Sequence, residues 1–284
     1  MFAFRLSWLC LPFAGYGVFD TVLSSRSNPV QITSFIGLWL LWSVVLAVSL
    51  IPSASLLTLF RVLVPISVVL TIWGSIESDI SFSSVVLLIA TSFAASICLL
   101  PTVGFWFVNG SSYGDEIRLP LRPPGPFLLG PIPLAWMLIT GTVIFPPLLI
   151  ASQQFVFGVG CAVVGLVCCF FAYRSLSALA NRWLVFVPAG LVVHDGMVVA
   201  DPFLVRRTAI QIIQPAPISS QGKDLTLSSI GLALEVSLIE SVDLSLQINP
   251  LAPPEIAPVD SFLVAPSLTS LTLEEAKRRS IPAF

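Results

Sequence analysis

Charge is the scarcest property of this sequence of 284 residues. Charged residues make up 10% of the chain, whereas they make up about 25% of a typical soluble protein. Lysine is found only at Lys223 and Lys277, and histidine only at His194. The formal net charge of −2 argues against a nucleic-acid-binding protein, which needs a basic surface. With 56% hydrophobic residues, much of the chain suits lipid rather than water.

The sequence also lacks the clusters that hold metals, cofactors or disulfide bonds. Its five cysteines all lie in apolar runs, at Cys10, Cys98, Cys161, Cys168 and Cys169. An odd number of cysteines in such runs does not indicate a disulfide framework, and no histidine or acid lies near them to complete a metal site. We therefore predict no metal site and no cofactor. We interpret the cysteines as small apolar residues at helix contacts.

Long apolar runs dominate the first part of the chain. A helix needs about 20 apolar residues to cross the hydrocarbon core of a bilayer. Six runs are candidates, at 6–23, 32–51, 56–76, 82–107, 132–150 and 155–173. The first could instead be a cleaved signal peptide, but it lacks a small-x-small cleavage site. We predict an α-helical membrane bundle of about six transmembrane helices in residues 1–178, with small residues such as Gly158 and Gly165 at helix-packing seams.

Arginines near the ends of these runs predict the orientation of the chain. Cytoplasmic loops are enriched in lysine and arginine. With a cytoplasmic N-terminus, only Arg26 is placed outside, while the others near the span ends are placed inside: Arg5, Arg61, Arg118, Arg122, Arg174 and Arg182. The opposite orientation would translocate nearly all of them. We therefore expect a multi-pass protein of the cell inner (plasma) membrane with both termini in the cytoplasm.

The connection at residues 108–131 is a proline-rich cytoplasmic loop. Proline fixes φ and removes a backbone donor, so the loop is predicted to be a stiff, extended strap. We expect it to lie along the inner membrane face; it could instead dock on the C-terminal domain or serve as a polyproline II ligand for another protein. Its four charges, Asp115, Glu116, Arg118 and Arg122, could form a cluster for a ligand or partner, although pairing among themselves is the favoured interpretation.

The same loop contains a short sequence that resembles a hydrolase motif. Residues 110–114 (GSSYG) match G-x-S-x-G, in which Ser112 would be the nucleophile. That motif requires a preceding strand and a following helix, whereas here an apolar run precedes and prolines follow. The only histidine that could act as a base, His194, belongs to the other domain. We interpret the motif as a turn, and a membrane enzyme remains the third hypothesis for function.

Residues 179–284 show the pattern of a small, mainly-β cytoplasmic domain. Short strands are predicted at 182–187, 191–194, 197–200, 203–206, 209–214, 225–227, 232–238 and 242–248, and loops at 218–229 and 250–258. Asp195 and Gly196 carry the strongest signal for a two-residue hairpin turn. Thr272 and Glu275 predict a capping box at the start of a C-terminal helix.

Three stretches of the chain resemble known proteins. Residues 182–213 (RWLVFVPAGLVVHDGMVVADPFLVRRTAIQII) resemble the opening strands of bacterial PH-like domains, which begin with an Arg-aromatic strand, pass a glycine turn and reach an isoleucine-rich strand. Together with residues 113–133 (YGDEIRLPLRPPGPFLLGPIP) and 273–282 (LEEAKRRSIP), they make the chain similar to a family of uncharacterised actinobacterial polytopic membrane proteins. The resemblance implies a PH-like C-terminal domain, no known activity and no catalytic residue.

The leading hypothesis is a non-enzymatic membrane protein that anchors a cytoplasmic β domain. That domain would bind membrane lipid or a protein partner in the same membrane, and nucleic acid is excluded as a partner. The candidate contact residues are cations: Arg118, Arg122, Arg206, Arg207, Lys277, Arg278 and Arg279. The alternative is a transporter or channel-like protein for an uncharged or lipidic substrate, because the spans contain almost no charge besides Arg61.

Overall fold

The computed structural model describes residues 1–78, 80–247 and 253–284. Over these ranges the chain divides into two compact units. The first, the helical unit, comprises Met1–Val103 and Leu134–Ser175, and the second, the β unit, comprises Gly104–Pro133 and Leu176–Phe284. In the described part of the chain, six helices are long and apolar enough to cross a membrane. The predicted fold class, a helical membrane bundle followed by a small mainly-β domain, is confirmed.

The helices follow the apolar runs closely. In chain order, those in the described ranges are α1 Phe2–Ser24, α2 Asn28–Leu50, α3 Ala54–Glu77, α4 Phe82–Leu99, α5 Pro101–Asn109, α6 Gly125–Leu129, α7 Pro131–Ala151, α8 Phe155–Ala180 and α9 Thr269–Arg278. The predicted span 82–107 is wrong in one respect, because it is two helices. Leu100 has an extended backbone (φ −60°, ψ 140°). A residue before proline disfavours helical geometry, so Pro101 separates α4 from α5.

Helices α1 and α2 are joined by a reciprocal pair of indole hydrogen bonds. Trp8 Nε1 donates to the Trp42 carbonyl at 3.0 Å, and Trp42 Nε1 donates to the Trp8 carbonyl at 2.9 Å. Pro12 has no N–H, so it cannot supply the helical bond that the Trp8 carbonyl would otherwise receive. The indole of Trp42 therefore satisfies a carbonyl that the proline in α1 leaves open. Phe4 of α1 also packs edge-on against Phe60 of α3, with 4.8 Å between ring centroids.

Small residues form the contact between α7 and α8. A Cβ at Gly158 would lie 2.7 Å from the Ile150 side chain, and one at Gly165 would lie 2.8 Å from Thr142 Oγ1. Thr142 Oγ1 also lies 3.2 Å from the Gly165 carbonyl, to which it can donate. The predicted packing seam is confirmed at these two glycines. The cysteine interpretation is right for the buried Cys98 but wrong for Cys10 and Cys161, whose side chains are exposed on the helical unit.

The β unit contains two sheets in the described residues. The strands are β1 Ile117–Pro120, β2 Trp183–Val187, β3 Gly190–His194, β4 Phe203–Arg206, β5 Ile210–Pro215, β6 Lys223–Asp224, β7 Leu234–Leu246 and β8 Glu255–Val264. The first sheet has the order β1-β2-β3-β4 and is antiparallel, and the second has the order β5-β7-β8-β6. β1 belongs to the proline-rich strap, so this part of the strap pairs with β2 of the β unit, which is one of the alternatives considered for it.

Alternation along the strands places one face of each sheet in a common core. Leu119, Phe186, Leu191, Val193 and Val205 of the first sheet are 2% exposed or less. They pack with residues of the second sheet and with Ala276 of α9; the second-sheet members include Ile213, Leu234, Val236, Leu244, Phe262 and Val264. The predicted alternation in residues 232–238 is confirmed only in part: Leu234 and Val236 are fully buried, but Leu232 is 52% exposed and Glu235, predicted on the outer face, is 8% exposed.

Several local predictions in the β unit are wrong, and one of them is the strand at 225–227, where the structure has none. Asp195 and Gly196 do not form a hairpin turn, and residues 197–200 do not form a returning strand, because β3 pairs with β4 instead. The predicted loop at 250–258 contains the start of β8 in its described part. The predicted capping box fails because α9 begins earlier and has no side-chain cap, and Thr272 Oγ1 donates to the Leu268 carbonyl.

Candidate functional site

The outer face of the first sheet brings Arg118, Trp183 and His194 together. Cross-strand register pairs Trp183 with His194, and their rings stack with 4.9 Å between centroids and 13° between planes. The Arg118 guanidinium lies 5.9 Å from the centre of the Trp183 ring, within cation–π distance. Arg118 also binds Glu116 at 2.6 Å. A hydrogen bond from the Tyr113 N–H, together with this contact, lowers the pKa of Glu116.

His194 is held as a neutral side chain. Burial lowers its pKa most, Arg118 lowers it further, and the neighbouring Asp195 carboxylate opposes both. The ring faces a small pocket in the β unit whose lining includes Gly196, Met197 and Pro202. His194 is the one imidazole and Asp195 the one acid in the lining of this pocket, and the lining has no thiol. The pocket therefore does not resemble a metal site or an acid–base site. In the described residues no group of three or more His, Cys, Asp or Glu side chains could hold a metal ion.

A buried ion pair joins the start of β2 to the end of β3. Arg182 Nε donates to Asp195 Oδ1 at 2.8 Å, and Arg182 Nη2 lies 2.8 Å from Asp195 Oδ2. Both side chains are 1% exposed. Asp195 Oδ1 also accepts from the Met197 N–H at 3.1 Å, and Arg182 Nη1 donates to the Arg122 carbonyl at 3.1 Å. Sequence reasoning missed this pair, because it assigned Asp195 to a hairpin turn.

Four of the seven candidate contact cations are engaged inside the β unit. Arg122 donates to the Leu232 carbonyl and to Thr269 Oγ1, both at 2.9 Å, and Arg118 is occupied as described above. Arg278 and Arg279 bind Glu275 at 2.7 Å and 2.6 Å. They also reach Asp115 Oδ1, at 3.4 Å and 3.2 Å. These contacts give the four arginines internal roles, joining the strap to the sheets and to α9.

Glu275 lies at the centre of the arginine network on α9. Burial on its own would raise the pKa of Glu275, but hydrogen bonds from Arg278 and Arg279 outweigh it and hold the pKa below the ordinary value. The carboxylate is therefore ionised at neutral pH. The side chain of Arg279 is 8% exposed, whereas that of Arg278 is 56% exposed. Of the two, only Arg278 has much surface left for another molecule.

Arg206, Arg207 and Lys277 are the three candidate cations that remain free. All three are exposed, and none forms an ion pair or side-chain hydrogen bond with another described residue. Arg206 shares the outer face of β4 with Leu204, which is 46% exposed. β4 is an edge strand of its sheet. We call Leu204, Arg206 and Arg207 the cationic edge.

The G-x-S-x-G sequence does not form a nucleophile elbow. Helix α5 precedes it where the motif requires a strand. Ser112 Oγ donates its hydrogen to the Asn109 carbonyl at 2.8 Å. Asn109 in turn clamps β1, accepting from the Arg118 N–H and donating to the Arg118 carbonyl. The segment therefore acts as the turn between α5 and β1.

Comparison with known protein families, with characterised proteins and with solved structures finds no significant match for this chain. Its function must therefore be inferred from its own residues.

The helical unit contains an apolar groove between its first four helices. The cavity along it has a volume of about 100 Å³ and is partly open to the outside. Its lining is rich in aromatic residues: Trp8, Tyr16, Phe19, Phe35, Trp39 and Trp42. The hydroxyl groups of Ser67, Thr71 and Thr91 also line it, but each donates its hydrogen to a carbonyl of its own helix. The groove therefore suits hydrocarbon better than a polar solute.

Proposed function

We propose that this integral membrane protein has no enzymatic role and holds its β unit against the cytoplasmic leaflet of the plasma membrane. The contact is made by the cationic edge, Leu204, Arg206 and Arg207. The observation that carries the proposal is the contrast among the candidate cations: four are engaged within the β unit, while Arg206 and Arg207 are exposed beside an exposed leucine. An arginine pair next to an apolar side chain suits the boundary between lipid headgroups and acyl chains.

The energies involved are small but sufficient. Each basic residue near an anionic membrane contributes about 1 kcal/mol, so the arginine pair contributes about 2 kcal/mol. That would not hold a free protein on a membrane. Here the β unit is covalently attached to membrane-spanning helices, and attachment gives a high effective concentration at the bilayer surface. A weak contact then suffices to bias the position of the β unit.

The orientation and the relationship of the β unit are part of the same proposal. The arginine distribution supports cytoplasmic termini, since Arg5, Arg61 and Arg174 lie in the halves of their helices that this orientation places towards the inside. The two four-stranded sheets followed by α9 support a relationship to bacterial PH-like domains. A tag after Phe284 that reacts only from outside intact cells would contradict the orientation.

Hydrogen–deuterium exchange of the full chain in lipid nanodiscs tests the contact. We expect amides of residues 203–209 to exchange more slowly in discs with phosphatidylglycerol than in discs of phosphatidylcholine alone. The double variant Arg206→Gln/Arg207→Gln should remove this difference. Lys223→Gln, at an exposed cation on β6, is the matched control and should keep it. Equal exchange in both lipids, or an equal loss in the control, would contradict the proposal.

The apolar groove favours a second candidate function, movement of a lipidic substrate between leaflets. Its aromatic lining and internally bonded hydroxyls fit a hydrocarbon chain and give no path for an ion. Proteoliposomes with a fluorescent phospholipid test it, because a dithionite-accessible fraction rising above one half requires transfer across the bilayer. A rate equal to that of protein-free liposomes would rule this function out.

A further inference from the structure

Arg61 is a cation inside a membrane-spanning helix without a protein partner. Its Nε is buried and forms no hydrogen bond, and no ion pair to Arg61 is found among the described residues. The residue as a whole is partly buried, and the two outer nitrogens of the guanidinium are not among the buried atoms that lack a hydrogen bond. Charged side chains within membrane spans are costly and usually mark a functional site. A guanidinium at such a position, with no hydrogen bond to its buried Nε, is suited to bind an anion.

The acids of the helical unit are at its other end. Trp8 with Trp42 and Phe4 with Phe60 show that α1 begins at the same end as α3. Arg61 lies near this end. Among the described residues of the unit, the acids are Asp20 and Glu77, near the C-terminal ends of α1 and α3, and Glu77 is paired with Arg26 at 3.2 Å. The anion that Arg61 needs must come from outside the helical unit.

The side chain of Arg61 is long enough to reach the headgroup boundary of a bilayer from within the hydrocarbon core. Helix α3 has 24 residues and so is about 36 Å long, about 6 Å more than the hydrocarbon core. Arg61 is seven residues after Ala54, about 10 Å along the helix, so its Cα lies about 7 Å inside the core if α3 is centred. A long arginine side chain returns its charged head from that depth to the headgroup boundary.

The surroundings of Arg61 hold the side chain in a defined place. Its neighbours Phe60 and Val62 are 0% and 3% exposed, and Cys98 of the adjacent helix α4 is fully buried. Trp136 of α7 donates from Nε1 to the Val62 carbonyl at 3.0 Å, which fixes a third helix beside this turn. Arginine is suited to phosphate because its planar fork donates two parallel hydrogen bonds.

We propose that Arg61 binds a phosphate group, supplied by an anionic phospholipid headgroup, at the end of the helical unit where α1 and α3 begin. This site is separate from the cationic edge of the β unit. Phosphate binding at Arg61 requires neither the cytoplasmic orientation nor the surface contact proposed above. A test of Arg61 can therefore succeed or fail independently of those proposals.

The test is thermal unfolding of the full chain in a neutral, mild detergent, titrated with short-chain phosphatidylglycerol. Ligand that binds only the folded state raises its melting temperature. We expect this rise in the wild type and in Arg26→Gln, the matched control at the opposite end of the unit. Arg61→Gln should weaken the apparent affinity about 10- to 100-fold, the ratio expected for the loss of one charged hydrogen bond.

Two further measurements separate binding from a merely structural role and identify the source of the phosphate. Arg61→Met removes an unpartnered cation, so without lipid it should melt at the same or a higher temperature than the wild type, while losing the response to phosphatidylglycerol. A lower melting temperature with the response retained would overturn the proposal. Titration with inorganic phosphate distinguishes a soluble anion from a lipid: lipid-only stabilisation supports the headgroup, and equal stabilisation by free phosphate overturns it.

Discussion

Breaking the ion pair between Arg182 and Asp195 should destabilise the β unit more than any exposed charge change. Both side chains are 1% exposed, and Asp195 accepts from Arg182 Nε and from the Met197 N–H. Asp195→Asn preserves the size of the side chain and an acceptor oxygen but leaves the Arg182 charge buried without compensation. Removing one partner of a buried pair costs about 3–5 kcal/mol. That corresponds to an increase of roughly 150- to 5,000-fold in the equilibrium constant for opening.

Hydrogen–deuterium exchange of the full chain in detergent measures this opening directly. Amides of β2 and β3, such as those of Leu184 and Val193, lie in the paired strands that the ion pair closes. Their exchange should accelerate by the factor above, provided that they exchange through opening of the β unit. Peptides from α2 or α3 in the same digest serve as an internal control, because their exchange should not change.

A double variant distinguishes the lost pair from a lost contact. Arg182→Met/Asp195→Leu replaces both charges with apolar groups, and such replacements of buried pairs are often neutral or stabilising. We expect the double variant to be more stable than Asp195→Asn. The reasoning would be refuted if Asp195→Asn cost less than about 1 kcal/mol, or if the double variant were the least stable of the three proteins.

The remaining predictions concern a titrating ring and two glycine contacts. His194 has a lowered pKa in the folded state, so the unfolded chain binds the proton first, and the folded state loses stability as the pH falls from about 6.5 through that lowered pKa. Melting curves should show this dependence in the wild type and a weaker one in His194→Gln. Gly190→Ala should unpair β3 from β4, because φ at Gly190 is 154° and a Cβ there would lie 2.0 Å from the Val205 carbonyl oxygen. The control Gly196→Ala, where a Cβ meets open space, should leave hydrogen–deuterium exchange in both strands unchanged. Gly165→Leu should separate α7 from α8 and lower the melting temperature, because a Cβ there already lies 2.8 Å from Thr142, whereas Gly160→Leu, with open space, should not.

The membrane-spanning helices could be predicted because lipid imposes a single rule. Every backbone group in the hydrocarbon core must be bonded within its own segment, so a long apolar run forms a helix whatever its neighbours are. The predicted and observed spans therefore agree closely, and the one exception, the break at Pro101, has a local cause. The long apolar runs needed no tertiary information.

The β unit was harder to predict because strand pairing depends on distant residues. The missed ion pair illustrates the point. The turn after Val187 pairs that residue with Gly190, and the same register places Arg182 opposite Asp195. The sequence therefore contained a usable signal, but the Asp195-Gly196 dipeptide offered a stronger competing turn. In the folded structure Arg182 is buried, and Asp195 pairs with it instead of forming the turn.

The candidate contact residues also show what the sequence could not predict. All seven cations are equivalent in the sequence, where each is an arginine or lysine near a span or in the β region. Only the folded structure separates Arg122 and Arg279, whose donors bind carbonyls and acids of the β unit, from Arg206 and Arg207, which remain exposed. It likewise reveals that Arg61 has a buried Nε without a partner.

By itself, the sequence determined which part of the chain suits lipid, how many spans there are, and where the helical part gives way to a mainly-β part. These properties depend on composition and local periodicity. The tertiary structure decided the strand order, the docking of the strap and the pairing of each charge. The physical reason is that an ion pair or a strand register joins residues far apart in the chain, and its energy depends on distance and burial that exist only after folding.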